Sequence, residues 1–189
     1  MKIDEKVVNE SIPRLARPCN RTLSEAAGPI LIVKRIDPAN YARVLVVIDD
    51  EVPDATVLID EARSLAPDAK LVLLYVMRFT LEDRFRYMDA SEEKLCKVRM
   101  QRHEDALDAM SAIRETAGLC SSEVTTLVEH GNLVAIALNL ERTLKIDLTV
   151  LGAKRTSALQ RFFFRNTATE IIEKAACDVL AVPVDTESE

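Results

Sequence analysis

From residue 43 onward, apolar positions alternate between two rhythms. Arg43–Asp49 is a nearly continuous apolar run, the pattern of a strand buried on both faces of a parallel sheet. Ala55, Leu58, Ile59, Ala62 and Leu65 then recur at helical spacing. Pro53 suits the first turn of that helix and Pro67 lies past its end. "KLVLLYVM" (70–77) reads as a second buried strand. A long helical pattern starts near Ser91, where Glu92 and Glu93 suit the positive end of the dipole. Leu107, Met110, Ile113 and Ala117 mark its inner face, and Gly118 its stop. "VTTLVE" (124–129) is a third strand, and Leu133, Ile136, Ala137, Leu140 and Leu144 form the next helical stripe. "DLTVLG" (147–152) is a fourth strand, Thr167 and Glu170 have capping-box spacing, and "DVLAVP" (178–183) is a fifth strand. Strands alternating with helices predict an α/β fold with a doubly wound, parallel, five-stranded sheet. Its ligand site belongs at the carboxyl ends of the strands, near the topological switch point.

Residues 1–42 stand outside this alternation, yet part of them repeats it. "TLSEAAGPILIV" (22–33) aligns without a gap on "IIEKAACDVLAV" (171–182). Ala26/Ala175, Ala27/Ala176, Leu31/Leu180 and Val33/Val182 are identical; Leu23/Ile172 and Ile30/Val179 are conservative. Chance similarity of short apolar strings is one explanation. The other is an N-terminal helix-strand arm that copies the last helix and strand of the main domain. The predicted division is an arm at 1–37, a domain at 38–185 and a tail at 186–189.

Composition narrows the chemistry. A net charge of −6 argues against nucleic-acid and anionic-membrane partners, since both reward a basic surface. No apolar run is long enough to span a membrane, and "MKIDEKVVNE" lacks a signal core, so a cytoplasmic location is expected. Cys19, Cys96, Cys120 and Cys177 are scattered, as expected for incidental thiols in a reducing compartment. His103 and His130 lie far apart with no ligand-type neighbours at short spacing, so no metal is expected, and His103 reads as part of a solvated helix face. Only four glycines occur, too few for a generous phosphate cradle.

"VLVVIDDEVP" (44–53) opens like a phosphoacceptor receiver domain, with Asp49 and Asp50 as the acidic pair. The rest of that machinery is missing. The third strand ends in Glu129-His130, and the last strand ends "AVPV" without a lysine. From Tyr41 to Pro183 the chain instead resembles a universal stress protein domain. "VVID" ending at Asp49, "LLYV" ending at Val76, Gly131-Asn132 opening the third helix, and "TVLG" ending at Gly152 carry the resemblance. The most specific part is "RNTATEIIEKAACDVLAV". The resemblance implies a Rossmann-like strand order of 3-2-1-4-5 and a stress-response role without catalysis. It also makes "GPILIVKRIDPANYARVLVVID" look like the junction of a tandem member, so the arm would be the remnant of a preceding copy. Members commonly dimerise through their last strands. Pro29, Ile30, Leu31, Ile32 and Val33 are therefore expected to meet Val179, Leu180, Ala181 and Val182, within one chain or across a homodimer. Covering an apolar edge has its own physical reason, since a bare edge invites aggregation.

ATP-binding members carry G-x-x-G-x9-G-[ST] after the fourth strand. Read from Gly152, the second glycine is Arg155, the third is Arg165, and Asn166 stands where Ser or Thr belongs. Bulky side chains then occupy positions where backbone amides should approach phosphate. Lys154, Arg155, Arg161 and Arg165 form either an anion grip or a solvated or partner-facing basic loop. Asn166 or Thr167 reads as a helix cap. Asp49 either meets a ribose hydroxyl or caps a turn, and Val76 either meets a base or belongs to the core. "FFF" (162–164) covers a groove, touches another subunit or fills its own pocket; 78–90 is a flap or an ordinary connection. The expectation is a non-enzymatic protein without cofactor. Two alternatives stand beside it: a regulatory binder of ATP or AMP with Mg, with weak ATPase or autophosphorylation, and an interaction module that docks a kinase or transporter.

Overall fold

The computed structural model describes residues 28–34, 40–48, 55–77, 91–120, 122–154 and 167–184, without the side chain of Lys154. Among the described residues, six strands form one sheet: β1 (Ile30–Ile32), β2 (Arg43–Ile48), β3 (Lys70–Met77), β4 (Val124–His130), β5 (Leu148–Lys154) and β6 (Asp178–Val184). Their order is β1-β6-β5-β2-β3-β4. Strands β2 to β6 are parallel and follow the expected 3-2-1-4-5 order. The sheet has six strands where five were expected, because β1 joins it antiparallel along β6.

Four helices complete the described fold: α1 (Ala55–Leu65), α2 (Glu92–Thr116), α3 (Leu133–Leu144) and α4 (Thr167–Lys174). Successive strand residues point to opposite faces, so each strand feeds two cores. Leu45, Val47, Leu74, Val76, Leu151, Val179 and Ala181 pack with residues of α3 and α4. Val44, Val46, Ile48, Leu71, Leu73, Val150, Leu180 and Val182 pack with α1 and α2. Hence β2 reads as an unbroken apolar run: five of its six residues are buried.

The long helix departs from its predicted face. Ala106 and Met110 are buried, Ile113 and Ala117 pack against the core, and Leu107 is 44% exposed. The inner stripe therefore starts at Ala106, at spacings of four, three and four. Leu107 is displaced about 100° around the helix from Ala106. Ser91 caps the helix start by accepting from Lys94 N–H. Gly118 ends it at φ 63°, with Gly118 N–H donating to Glu115 O and Leu119 N–H to Arg114 O. These two bonds make a Schellman stop, which needs a left-handed residue at this position.

Polar residues gather at the amino end of the sheet, and sequence reading missed them. Asp147 Oδ2 accepts the backbone N–H groups of Ala42 and Arg43, each at 3.0 Å. Glu141, 6% exposed, accepts from Ala176 N at 2.6 Å and Cys177 N at 3.0 Å. It thereby fixes the turn between α4 and β6. The readable signal was Glu141 four residues after Ala137, on the inner side of an otherwise apolar stripe. Replacing Glu141 by Ala leaves the Cys177 amide buried and unpaired. We expect the E141A variant to lose about 2 kcal/mol in urea unfolding, because an orphaned buried donor costs roughly 1–3 kcal/mol.

Candidate functional site

The parallel strands end at one edge of the sheet, and the helices that follow begin there. The turn from β4 into α3 is made by Gly131 and Asn132. Gly131 has φ 134°, a conformation open to glycine and costly for other residues, and its N–H donates to Met77 O at 3.3 Å. A Cβ there would meet only Ile136 Cδ1, at 3.7 Å, so backbone geometry rather than space demands glycine. Asn132 caps α3: its side chain accepts from Ala135 N–H at 2.9 Å. Its side-chain oxygen is thus already committed to the helix.

The predicted residues divide into three groups. Gly131, Asn132, Gly152 and Thr167 lie at the strand-end edge, Gly152 next to Val182 on β6 and Thr167 opening α4. Val76, near the end of β3, is 1% exposed and lies in the core with Leu133, Val134 and Ala137. Asp49, Arg155, Arg161, Arg165, Asn166, the 78–90 connection and the phenylalanine run lie outside the described residues.

The fold also brings together two residues that sequence separation kept apart. His103 of α2 and His130 at the end of β4 stack with ring centroids 6.0 Å apart and planes 19° from parallel. His103 is half-buried, which corrects its reading as part of a solvated face. The cause is topological: α2 runs back across the sheet beside β3 and β4, so residues 27 positions apart meet. Among the described residues, no three His, Cys, Asp or Glu side chains converge as a metal site requires.

Cys177 lies at the opposite end, 4% exposed, with its Sγ 3.3 Å from Thr149 Oγ1. Burial pushes its thiol up to about 11, against a smaller opposing effect of the Thr149 hydrogen bond. Cys96 and Cys120 are exposed.

A doubly wound α/β protein whose candidate site is the carboxyl edge of a parallel sheet is the class these elements define. Comparison makes the assignment specific. The model of the universal stress protein family matches residues 40–183, and the chain belongs to that family. No curated protein matches the sequence closely enough to count as a relative. Among solved structures, a functionally unknown protein from Pseudomonas aeruginosa PAO1 is similar at a TM-score of 0.63 and 19% identity. The match covers 87% of this chain and 55% of that one, so this chain spans about half its length. Universal stress protein UspA from Lactobacillus plantarum is similar at a TM-score of 0.59 and 24% identity, over 76% of this chain and 99% of that one. A universal stress protein in complex with cAMP is similar at 0.51 and 19%, over 77% of this chain and 98% of that one. At these identities the structural matches speak for the fold.

Two measurements check the geometry. Gly131→Ala should destabilise by about 1–3 kcal/mol, the cost of holding a side-chain-bearing residue in that backbone conformation, read as a lower urea midpoint. Burial keeps the Cys177 thiol protonated at pH 8 and out of reach of reagents. Iodoacetamide with mass-spectrometric readout should therefore label Cys96 and Cys120 and spare Cys177.

Proposed function

We propose that the chain is a non-catalytic, cytoplasmic stress-response protein of the universal stress class, acting through contacts with other proteins and without a bound triphosphate. Family membership supports the general role. The observation that carries the rest is the pair of arginines, Arg155 and Arg165, at the two glycine positions of the phosphate-binding pattern that starts at Gly152. Two residues near the strand-end edge have structural work of their own. Asn132 Oδ1 is committed to the start of α3, and Val76 is committed to the core. Long side chains at positions 155 and 165 suit poorly an ATP cradle built on backbone amides.

A second reading is favoured by two observations. Gly131 and Gly152 both stand at the edge, and a structural neighbour was solved in complex with cAMP. A nucleotide with a single phosphate needs fewer amides than a triphosphate, so AMP or cAMP is the ligand this alternative names.

Thermal unfolding with 1 mM ligand separates the readings. A site with Kd near 10 μM would add about 2.7 kcal/mol of stability. The native chain should show no midpoint shift with ATP and Mg²⁺. Restoring the pattern with R155G, R165G and N166S should create one. A shift in the native chain with ATP would overturn the proposal, and a shift with AMP or cAMP alone would establish the second reading.

A further inference from the structure

Helix α2 is longer than the strands it packs on. His103 stacks on His130, the last residue of β4, so both stand level with the carboxyl edge of the sheet. Residues 104–116 rise about 20 Å from there, close to the ~23 Å of β4. Residues 92–103 rise about 18 Å in the other direction and project past the sheet. Ala106 and Met110, the buried residues of α2, both lie in the anchored half, and none of residues 92–105 is buried. A helical stretch of about 12 residues without a packed face is marginal in water.

The same helix carries a second stripe. Cys96, Met100, His103, Leu107 and Ser111 recur at spacings of four, three, four and four, roughly 90° around from the buried stripe. Met100 is 60% exposed and Leu107 44%. His103 touches β4, the last strand in the sheet order, so the stripe faces out past that edge. Charge divides along the helix as well. Residues 92–103 carry Lys94, Lys97, Arg99 and Arg102 against Glu92 and Glu93. Residues 104–116 carry Glu104, Asp105, Asp108 and Glu115 against Arg114.

We propose that a second copy of this chain lays its α2 antiparallel on this stripe, about a two-fold axis between His103 and Glu104. The surface lies at the edge of the sheet opposite β6. The proposal goes beyond the stress-protein reading and does not rest on it.

In this register Met100 meets the partner's Leu107, and Cys96 meets the partner's Ser111. At the two ends of the stripe, Glu93 meets the partner's Arg114. A parallel pair would instead set Glu93 on Glu93 and Arg114 on Arg114. Charge therefore selects the antiparallel arrangement. Glu93 accepts from Lys97 at 2.7 Å, and its side chain, 79% exposed, has acceptor capacity for a second cation. The projecting, mainly basic half of each copy lies along the anchored, mainly acidic half of the other. Each projecting half thereby gains the packed face that its own sheet does not supply.

The test uses full-length chains. In light scattering the native chain should pass from monomer to dimer as its concentration rises to about 100 μM. S111C, oxidised, should form a covalent dimer through the native Cys96, identified by mass spectrometry as a 96-to-111 linked peptide. Within one helix those positions lie about 22 Å apart, far beyond disulfide reach. M100E/L107E/S111C faces carboxylates with carboxylates across the seam and should lose at least nine-tenths of that cross-link. R114E sets like charges at both ends and should weaken the native dimer roughly tenfold in Kd; adding E93R should restore most of the loss. That charge swap leaves the apolar contacts alone and carries the test if the double glutamate chain does not fold. A native chain that stays monomeric would overturn the proposal. So would a 96-to-96 cross-link in place of 96-to-111, or R114E weakened no less with E93R than without it.

Discussion

A parallel sheet satisfies its strands on two faces and between neighbours, but its last strand is left with an open edge. In this protein that edge is β6, and much of the molecule is arranged around it. Its side chains are buried on both faces, seven residues pair with β5, and Asp178 at its start is fully buried. A strand so apolar cannot leave a row of backbone donors and acceptors open without inviting another strand. The arm supplies three paired residues and a lysine that fastens to both β6 and α4.

The two ends of the sheet are built for different work. The amino end is closed by carboxylates that accept backbone N–H groups: Asp147 from Ala42 and Arg43, Glu141 from Ala176 and Cys177, Asp178 from Lys34. These bonds hold connections whose movement would open the core. The carboxyl end carries turns, helix starts and the His103–His130 pair. That division lets the edge vary in sequence while the scaffold holds its geometry.

Much of the fold was legible because burial on both faces leaves a strong mark. Strands β2 and β3 show it as unbroken apolar runs, and α1 shows it as the spacing of Ala55, Leu58, Ile59 and Ala62. Gly131-Asn132 was legible too, since a left-handed turn and a helix cap each restrict the residue types that suit them. Glu141 was missed because a carboxylate on an apolar stripe has a purpose only when its acceptors' partners, 35 and 36 residues away, are in place. Leu107 was misplaced because an apolar residue beside a helix stripe carries no label for the side it faces.

The sequence by itself determined the alternation of strands and helices and the family, and it places arginine at positions 155 and 165. All of these are local or periodic properties of the chain. The tertiary structure alone decided the register in which β1 lies along β6, Leu31 opposite Leu180, that Lys34 fastens it there, and that the two histidines meet. Those are pairings across long stretches of chain, and only the packed topology selects them.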